Sequence, residues 1–366
     1  MNTILEKYAT LLVKYCVEIK RGDQLFVQTT TLAEPLVREV YRAAIRAGAH
    51  VEVNMEFREQ SRIFFEEAKG KQLQRVSPFY KKAMEKFDAY LYIRAPFNLM
   101  ENQSVDAKKM KIKKTAHAGV SKTYSKRTAT RDLKRNLCQY PTIAAAQNAG
   151  MSLEEYEKFV FGACQLYQDD PEAEWLKVRK FQKKIVDFLN KKQKVHYKGE
   201  GIDISFSTKG RIWMNSDGQT NMPSGEVYTS PVENSVNGVI NFSYPAVYMG
   251  HEVEGVTLWV KDGYIQKWEA QRGKAFLDKI FKMKGARNFG EAAIGTNYNI
   301  NRFTKNILFD EKIGGTIHMA IGQSYLQTGG KNVSPIHWDM IGNMMNGGEI
   351  YADEEKIYDS GKFLFV

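Results

Sequence analysis

The chain is predicted to be α/β. An N-terminal α/β sheet domain with flanking helices (1–190, ending in a connector helix) would be followed by a β-rich α+β C-terminal domain (191–366). Three observations carry this. Strand–helix–strand alternation begins near Asp23. A long helical stretch runs from Glu172 to Lys192, and beyond His196 the chain becomes strand-rich. Alternation of that kind argues for a sheet with helices on its faces.

The opening MNTILEKYATLLVKYCVEIKRGD reads as an amphipathic helix with Leu5, Tyr8, Leu12 and Cys16 along one side. Its charges at Glu6, Lys7, Lys14, Glu18 and Lys20 are unlike the uncharged core of a signal peptide. Gln24 to Gln28 is a strand, and Leu32 to Ala47 is a helix with Leu36, Val40, Ala43 and Ala47 spaced by three and four. Gly48 stops it, and His50 to Met55 is the next strand. Asp88 to Arg94 gives a third. Near Gln139 the texture changes to short helices, one opened by a capping box in which Ser152 reaches toward Glu155. In the C-terminal half Asp203 to Ser207 alternates as a strand, Gly210 to Asn215 is expected to pair with it, and Asp217-Gly218 is a hairpin-type turn.

The net charge is +11, and eleven Lys or Arg residues against one acid, Asp132, fall between Lys108 and Arg135. A basic patch is the footprint of a nucleic-acid binder. Here, however, Tyr124 is the stretch's only Phe, Tyr or Trp for stacking, and no nucleic-acid motif is present. It is read as a solvated helix face plus loop, and nucleic acid is not expected as a partner. A positive rim would also draw in substrates carrying a carboxylate. No apolar run approaches the ~20 residues that span a bilayer. Cys16, Cys138 and Cys164 are too widely spaced for a disulfide framework or a zinc knuckle, so reduced thiols in a cytoplasmic protein are expected. No G-x-G-x-x-G follows the first strand and no G-x-S-x-G occurs. A dinucleotide cofactor and a nucleophile-elbow hydrolase therefore lack support. His50 and His117 are read as structural.

The stretch FDEKIGGTIHMAIGQSYLQTGGKNVSPIHWD contains Glu311, His318, Tyr325, His337 and Asp339. In an extended strand His337 and Asp339 project the same way, and an imidazole beside a carboxylate suits zinc, cobalt or manganese. Alone, His-x-Asp is weak evidence. The same half adds Glu226, held between Gly225 and a short strand, and Glu291, after Asn288-Phe289-Gly290. Glu311 is read as ending a strand, Asn306 to Phe309.

The sequence resembles the thermophilic aminopeptidase family of metallopeptidases, over almost its whole length. KYATLLV and QNAGMSLEEYEKFVF contribute. RIWMNSDGQTNMPSGEVYTSP, FDEKIGGTIHMAIGQSY and IHWD carry it most specifically. The resemblance implies a homodimer of two-domain subunits, with a dinuclear metal site in the C-terminal domain. It implies Glu226 as the first metal-binding glutamate and Glu291 as the second, bridging two divalent ions. Glu311, His318, His337 and Asp339 would be further ligands, and Tyr325 the active-site tyrosine. The alignment at Glu311 crosses an apparent two-residue insertion. The substrates implied are peptides with a free N-terminus.

The chemistry agrees. Two ions about 3.5–4 Å apart lower the pKa of a shared water, and anionic ligands hold them together. Tyr325 would donate to the oxyanion, and Glu291 is the candidate general base. A metal-dependent hydrolase of a non-peptide substrate is the competing reading, since ligands set the metal and not the substrate.

Overall fold

The computed structural model describes residues 3–366. It divides into two compact units, Met1–Glu174 with Gly218–Pro223, and Trp175–Asp217 with Ser224–Val366. Residues 175–190, grouped with the N-terminal domain on sequence, thus pack with the second unit.

The first unit is built on a parallel sheet. Its strands are β1 (Gln24–Thr30), β2 (His50–Glu56), β3 (Ala89–Arg94) and β4 (Lys134–Gln139), in the order β2-β1-β3-β4. The short strand Asn221–Met222 adds beyond β4. The helix Glu34–Arg46 links β1 to β2 and buries Leu36, Val37, Val40 and Ala44, one stripe at helical spacing. Two capping boxes fix helix starts, Thr3 with Glu6 and Ser152 with Glu155. The basic stretch is mainly one helix, Ala107–Ala129, capped by Asp106. Only Val120 is buried on it. Lys109 donates to the Phe65 carbonyl at 2.6 Å, Lys113 lies over the Phe64 ring at 4.2 Å, and Arg127 donates to the carbonyls of Met84 and Phe87. These stems pack while most other lysines face water, as expected of a solvated face.

Besides a two-stranded hairpin of Ala246–Tyr248 with His251–Val253, the second unit contains two antiparallel sheets. The larger has eight strands and joins distant parts of the chain: Lys194–Gly199 pairs with both Ile202–Ser207 and Glu349–Ala352. The other has five strands: β5 (Met214–Ser216), β6 (Glu226–Thr229), β7 (Phe289–Gly295), β8 (Thr316–Gly322) and β9 (His337–Asn343), in the order β9-β8-β7-β6-β5.

Two sequence expectations are corrected here. Residues 210–213 form no strand, and β5 pairs with β6 rather than with Ile202–Ser207. Their backbone bonds go elsewhere: Arg211 N–H to the Thr208 carbonyl, Ile212 N–H to the Thr328 carbonyl and Trp213 N–H to Asn190 Oδ1. Residues 307–310 are one helical turn, not a strand, and Glu311 is its C-cap. Asn306 caps the turn at the Leu308 N–H. Asp310 turns back to accept from Thr304 N–H, Thr304 Oγ1 and Asn306 N–H, which locks the chain in a tight loop.

Candidate metal centre

Strand alternation gives the five-stranded sheet two unlike faces. Ala292 and Ile294 of β7, Ile317, Met319 and Ile321 of β8, and Trp338 and Met340 of β9 belong to the unit's main hydrophobic core. Burying each large one contributes about 1.5–3 kcal/mol, so the register is strongly fixed. The intervening residues then necessarily share the other face: Glu291 and Ala293 on β7, His318 and Ala320 on β8, His337 and Asp339 on β9. Ala320 is registered with Glu291 on one side and with Asp339 on the other. Gly295 is registered with Glu226. Small residues between the acids leave room for their side chains to converge.

Glu226 is held from behind. Gln182 Nε2 donates to its carbonyl at 2.9 Å and also to Asn215 Oδ1 and the Ser216 carbonyl. Gly225 before it has φ +119°, and a Cβ there would come within 2.6 Å of Asn297 Cβ, so only glycine allows this approach.

The side chains meet as charged pairs. His318 Nε2 lies 3.4 Å from Glu226 Oε2 and 3.8 Å from Glu291 Oε1. His337 Nε2 lies 3.0 Å from Glu291 Oε2 and 3.4 Å from Asp339 Oδ1, while its Nδ1 sits 2.7 Å from the Gln323 carbonyl. That carbonyl calls for a proton on Nδ1, leaving Nε2 to face the acids. Glu311 enters from its helical turn. Three groups of donor atoms come within 4.8 Å of one another: Glu226, Glu291 and His318; Glu291, His337 and Asp339; and Glu311, His318 and Asp339. All six ligands suggested by sequence are therefore brought together. Tyr325 is beside them, its ring 4.8 Å from that of His337 and 5.5 Å from that of Tyr228.

One participant escaped the sequence reading. Lys312 is wholly buried, in contact with Glu311 and 3.7 Å from Glu226 Oε1. Its only signal in sequence was its place in EKIGG, between an acid and a glycine turn.

Burial works against every charge here, and the neighbours decide the outcome. Burial would lower His318, but the bond to Glu291 and the charge of Glu226 outweigh it and raise its pKa to about 9. His337 is likewise raised despite burial, by Asp339 and Glu291. Burial opposes ionisation of Asp339, yet His337 brings it down to about 2. Glu291 is lowered against burial by both histidines. Glu311 goes the other way: burial pushes it up to about 8, with Lys312 pulling down and Glu226 and Asp339 adding to the rise. Tyr325 exposes 36% of its surface, yet burial of its phenol and the charges of Glu291, Asp339 and Glu311 raise its pKa well above the ordinary value.

The donor set fits divalent ions. Two groups share Glu291, the arrangement expected of a bridging carboxylate. Asp339 Oδ1 is buried without a hydrogen-bond partner, and such an atom calls for an explanation. Carboxylate and imidazole together suit zinc, cobalt or manganese.

Known proteins place the chain. Residues 1–363 match the family model described as thermophilic metalloprotease (M29). Aminopeptidase 2 of Geobacillus stearothermophilus is 30% identical over 407 aligned positions, covering 99% of this chain and 98% of that protein. Aminopeptidase T of Thermus thermophilus is 28% identical over 246, covering 58% of this chain and 60% of its own. The solved structure of wild-type AmpT from Thermus thermophilus superposes with a TM-score of 0.85 at 22% identity, covering 99% of each chain. That likeness shows the shared fold. The chain is a metal-dependent aminopeptidase belonging to the thermophilic metalloprotease (M29) family.

Proposed function

We propose that the protein removes the N-terminal residue of peptides using two divalent ions, held by two ligand sets that share Glu291. The observation that supports this is the sharing itself: Glu291 belongs both to the group Glu226, Glu291 and His318 and to the group Glu291, His337 and Asp339, while Glu311 joins His318 and Asp339 in a third. When bound, the pair supplies the Lewis acidity, lowering the pKa of a water, polarising the scissile carbonyl and accepting the neutral α-amine.

The chain's own residues do the rest. The Gln323 carbonyl fixes the tautomer and ring angle of His337. Tyr325 donates its hydroxyl proton to the developing oxyanion, an interaction that strengthens in the transition state. Glu291 is the candidate base for the attacking water. It already faces both histidines, however, so Glu311, which belongs to a single set, is the alternative proton acceptor.

The test uses elemental analysis beside turnover. Loaded protein should carry two ions per chain. Chelation should abolish cleavage of aminoacyl substrates, and zinc, cobalt or manganese should restore it. N-terminal acetylation of the peptide should abolish turnover. Full activity without metal, or efficient cleavage of acetylated peptides, would defeat the proposal. The homodimer implied by resemblance and a cytoplasmic location belong with this reading; light scattering and fractionation test them. Among the described residues no helix is long and apolar enough to cross a membrane.

A further inference from the structure

We infer that Thr328 and Ser230 are positioning residues: two buried hydroxyls that tie the turn bearing Tyr325 to the backbone beside Glu291, and so set where the Tyr325 hydroxyl stands over the site. The inference rests on Tyr325 acting as the oxyanion donor.

Tyr325 opens the short 3₁₀ turn Leu326–Thr328, and its own side chain does not cap it. Residues 325–327 are exposed, Leu326 by 81%, so packing over the turn does not hold it. The residues around it are buried instead: Ser324, Thr328 and Gly330. The turn is therefore anchored from below.

Thr328 supplies the anchor. Its hydroxyl lies 2.7 Å from the Tyr325 carbonyl and 2.7 Å from Ser230 Oγ, and the Ser230 hydroxyl donates to the Gly290 carbonyl at 2.7 Å. Each hydroxyl has one proton. Ser230 gives its proton to Gly290, so the Thr328 proton is shared between Ser230 Oγ and the Tyr325 carbonyl. Neither side chain has exposed surface, so water cannot take over these bonds. Gly290 is the bulged residue of β7, immediately before Glu291, where the register with β8 shifts. The relay thus joins the oxyanion donor to the residue next to the shared carboxylate. Its flanks are fixed as well. Ile212 N–H donates to the Thr328 carbonyl at 3.0 Å, and a Cβ on Gly330 would come within 2.6 Å of Ser230 Oγ.

The turn alone does not need this relay. Thr328 N–H and Gly330 N–H already donate to the Tyr325 carbonyl at 3.3 and 3.2 Å, which closes the turn through backbone. What the hydroxyls add is a fixed distance between the turn and β7. An oxyanion donor has its full effect only within hydrogen-bond reach of the developing charge, and a misplacement of about 1 Å can cost about a hundredfold.

The experiment is a double-mutant cycle on full-length, metal-loaded enzyme. Thr328→Val keeps the shape and removes the proton. It should lower kcat by about tenfold to a hundredfold, with KM and metal content within about twofold. Thr328→Ser restores the hydroxyl and should recover most of that loss. In a Tyr325→Phe background, Thr328→Val should cost no more than about twofold further, because the group it positions is gone. Ser230→Ala should follow the same pattern. In metal-free protein, hydrogen exchange at the Thr328 and Gly330 amides should quicken at least about tenfold in Thr328→Val and stay near wild type in Thr328→Ser. Wild-type turnover or unchanged exchange in Thr328→Val overturns the inference, and so does a loss that Thr328→Ser does not recover. A loss equally large with and without the Tyr325 hydroxyl also overturns it, since the relay would then be general scaffolding. If Thr328→Val does not fold, the Ser230→Ala cycle decides by the same criteria. Normal turnover in Tyr325→Phe alone instead refutes Tyr325 as the oxyanion donor, and this inference with it.

Discussion

The two units treat buried ionisable groups in opposite ways. In the first, Tyr8, Cys138 and Cys164 are fully buried next to one another, and burial raises the pKa of each, which keeps them neutral. Tyr8 donates to the Gln139 carbonyl at 3.1 Å, and the Cys164 thiol lies 3.7 Å from its oxygen. In the second, Glu226, Glu291, His318 and Lys312 are as deeply buried and stand as interlocked charges. A buried charge is retained only where partners offset its desolvation. Neutral clusters serve packing. A cluster of four carboxylates, three on the sheet and Glu311 from its helical turn, is costly unless something offsets it, and holding metal is the role we propose for it.

The largest effect that could break this contrast is loss of the shared carboxylate. Glu291→Gln keeps the volume and removes the charge between the two ligand sets. Turnover should fall at least about a thousandfold, with circular dichroism unchanged. His50→Gln, an exposed position in the first unit, should leave turnover within about twofold. Equal behaviour of the two variants would remove the distinction. Glu311→Gln, measured alongside, decides the base: lost turnover with normal metal content assigns that role to Glu311.

Next in size is Tyr325→Phe. Losing one oxyanion donor should lower kcat and kcat/KM together by about a hundredfold to a thousandfold, while KM and metal content barely move. If Tyr325 only packs against His337 and Tyr228, Phe is nearly isosteric and turnover should stay normal.

A smaller effect is expected on stability, and only without metal. His318 is held at about 9 in the fold against 6.5 ordinarily, so the folded state binds its proton more tightly. Its stabilisation is complete below about pH 6.5 and fades as pH climbs through 9. Asp339, at about 2 against 3.8, has the reverse dependence: its share is complete above about 3.8 and is lost as pH falls through 2. Calorimetry in chelator should show the thermal midpoint falling by several degrees between pH 6.5 and 9. A flat midpoint there would mean that His318 is not protonated in the metal-free fold.

Sequence made the two units legible to different depths. The β1–helix–β2 unit was readable because its apolar spacing switches from two to three and four at Thr31 and back at Gly48. His337 and Asp339 were readable as neighbours because strand alternation is local. What sequence could not show was the row Glu291–Ala320–Asp339, since registry between β7, β8 and β9 depends on residues far apart in the chain. For the same reason Ala293, Ala320 and Gly295 looked like filler. Lys312 drew no attention in the sequence because its burial comes from tertiary packing. Residues 210–213 read as a strand by composition, but Asn190 and Thr328, both distant, take their hydrogen bonds.

The smallest effect tests the other side of the contrast. If the thiols of the first unit are packing groups, Cys164→Ala and Cys138→Ala should leave turnover and metal content within about twofold of wild type, each costing on the order of 1 kcal/mol in urea unfolding. The cost should be modest for a specific reason. Tyr8 still donates to the Gln139 carbonyl after either change, so no buried donor is stranded, and the loss is confined to the space the sulfur filled. Burial pushes the Cys138 thiol up to about 12, which leaves almost no thiolate at neutral pH to act as nucleophile or ligand. A loss of turnover well beyond twofold with the fold intact would show that the neutral cluster has a chemical role, and the division between the two units would fall.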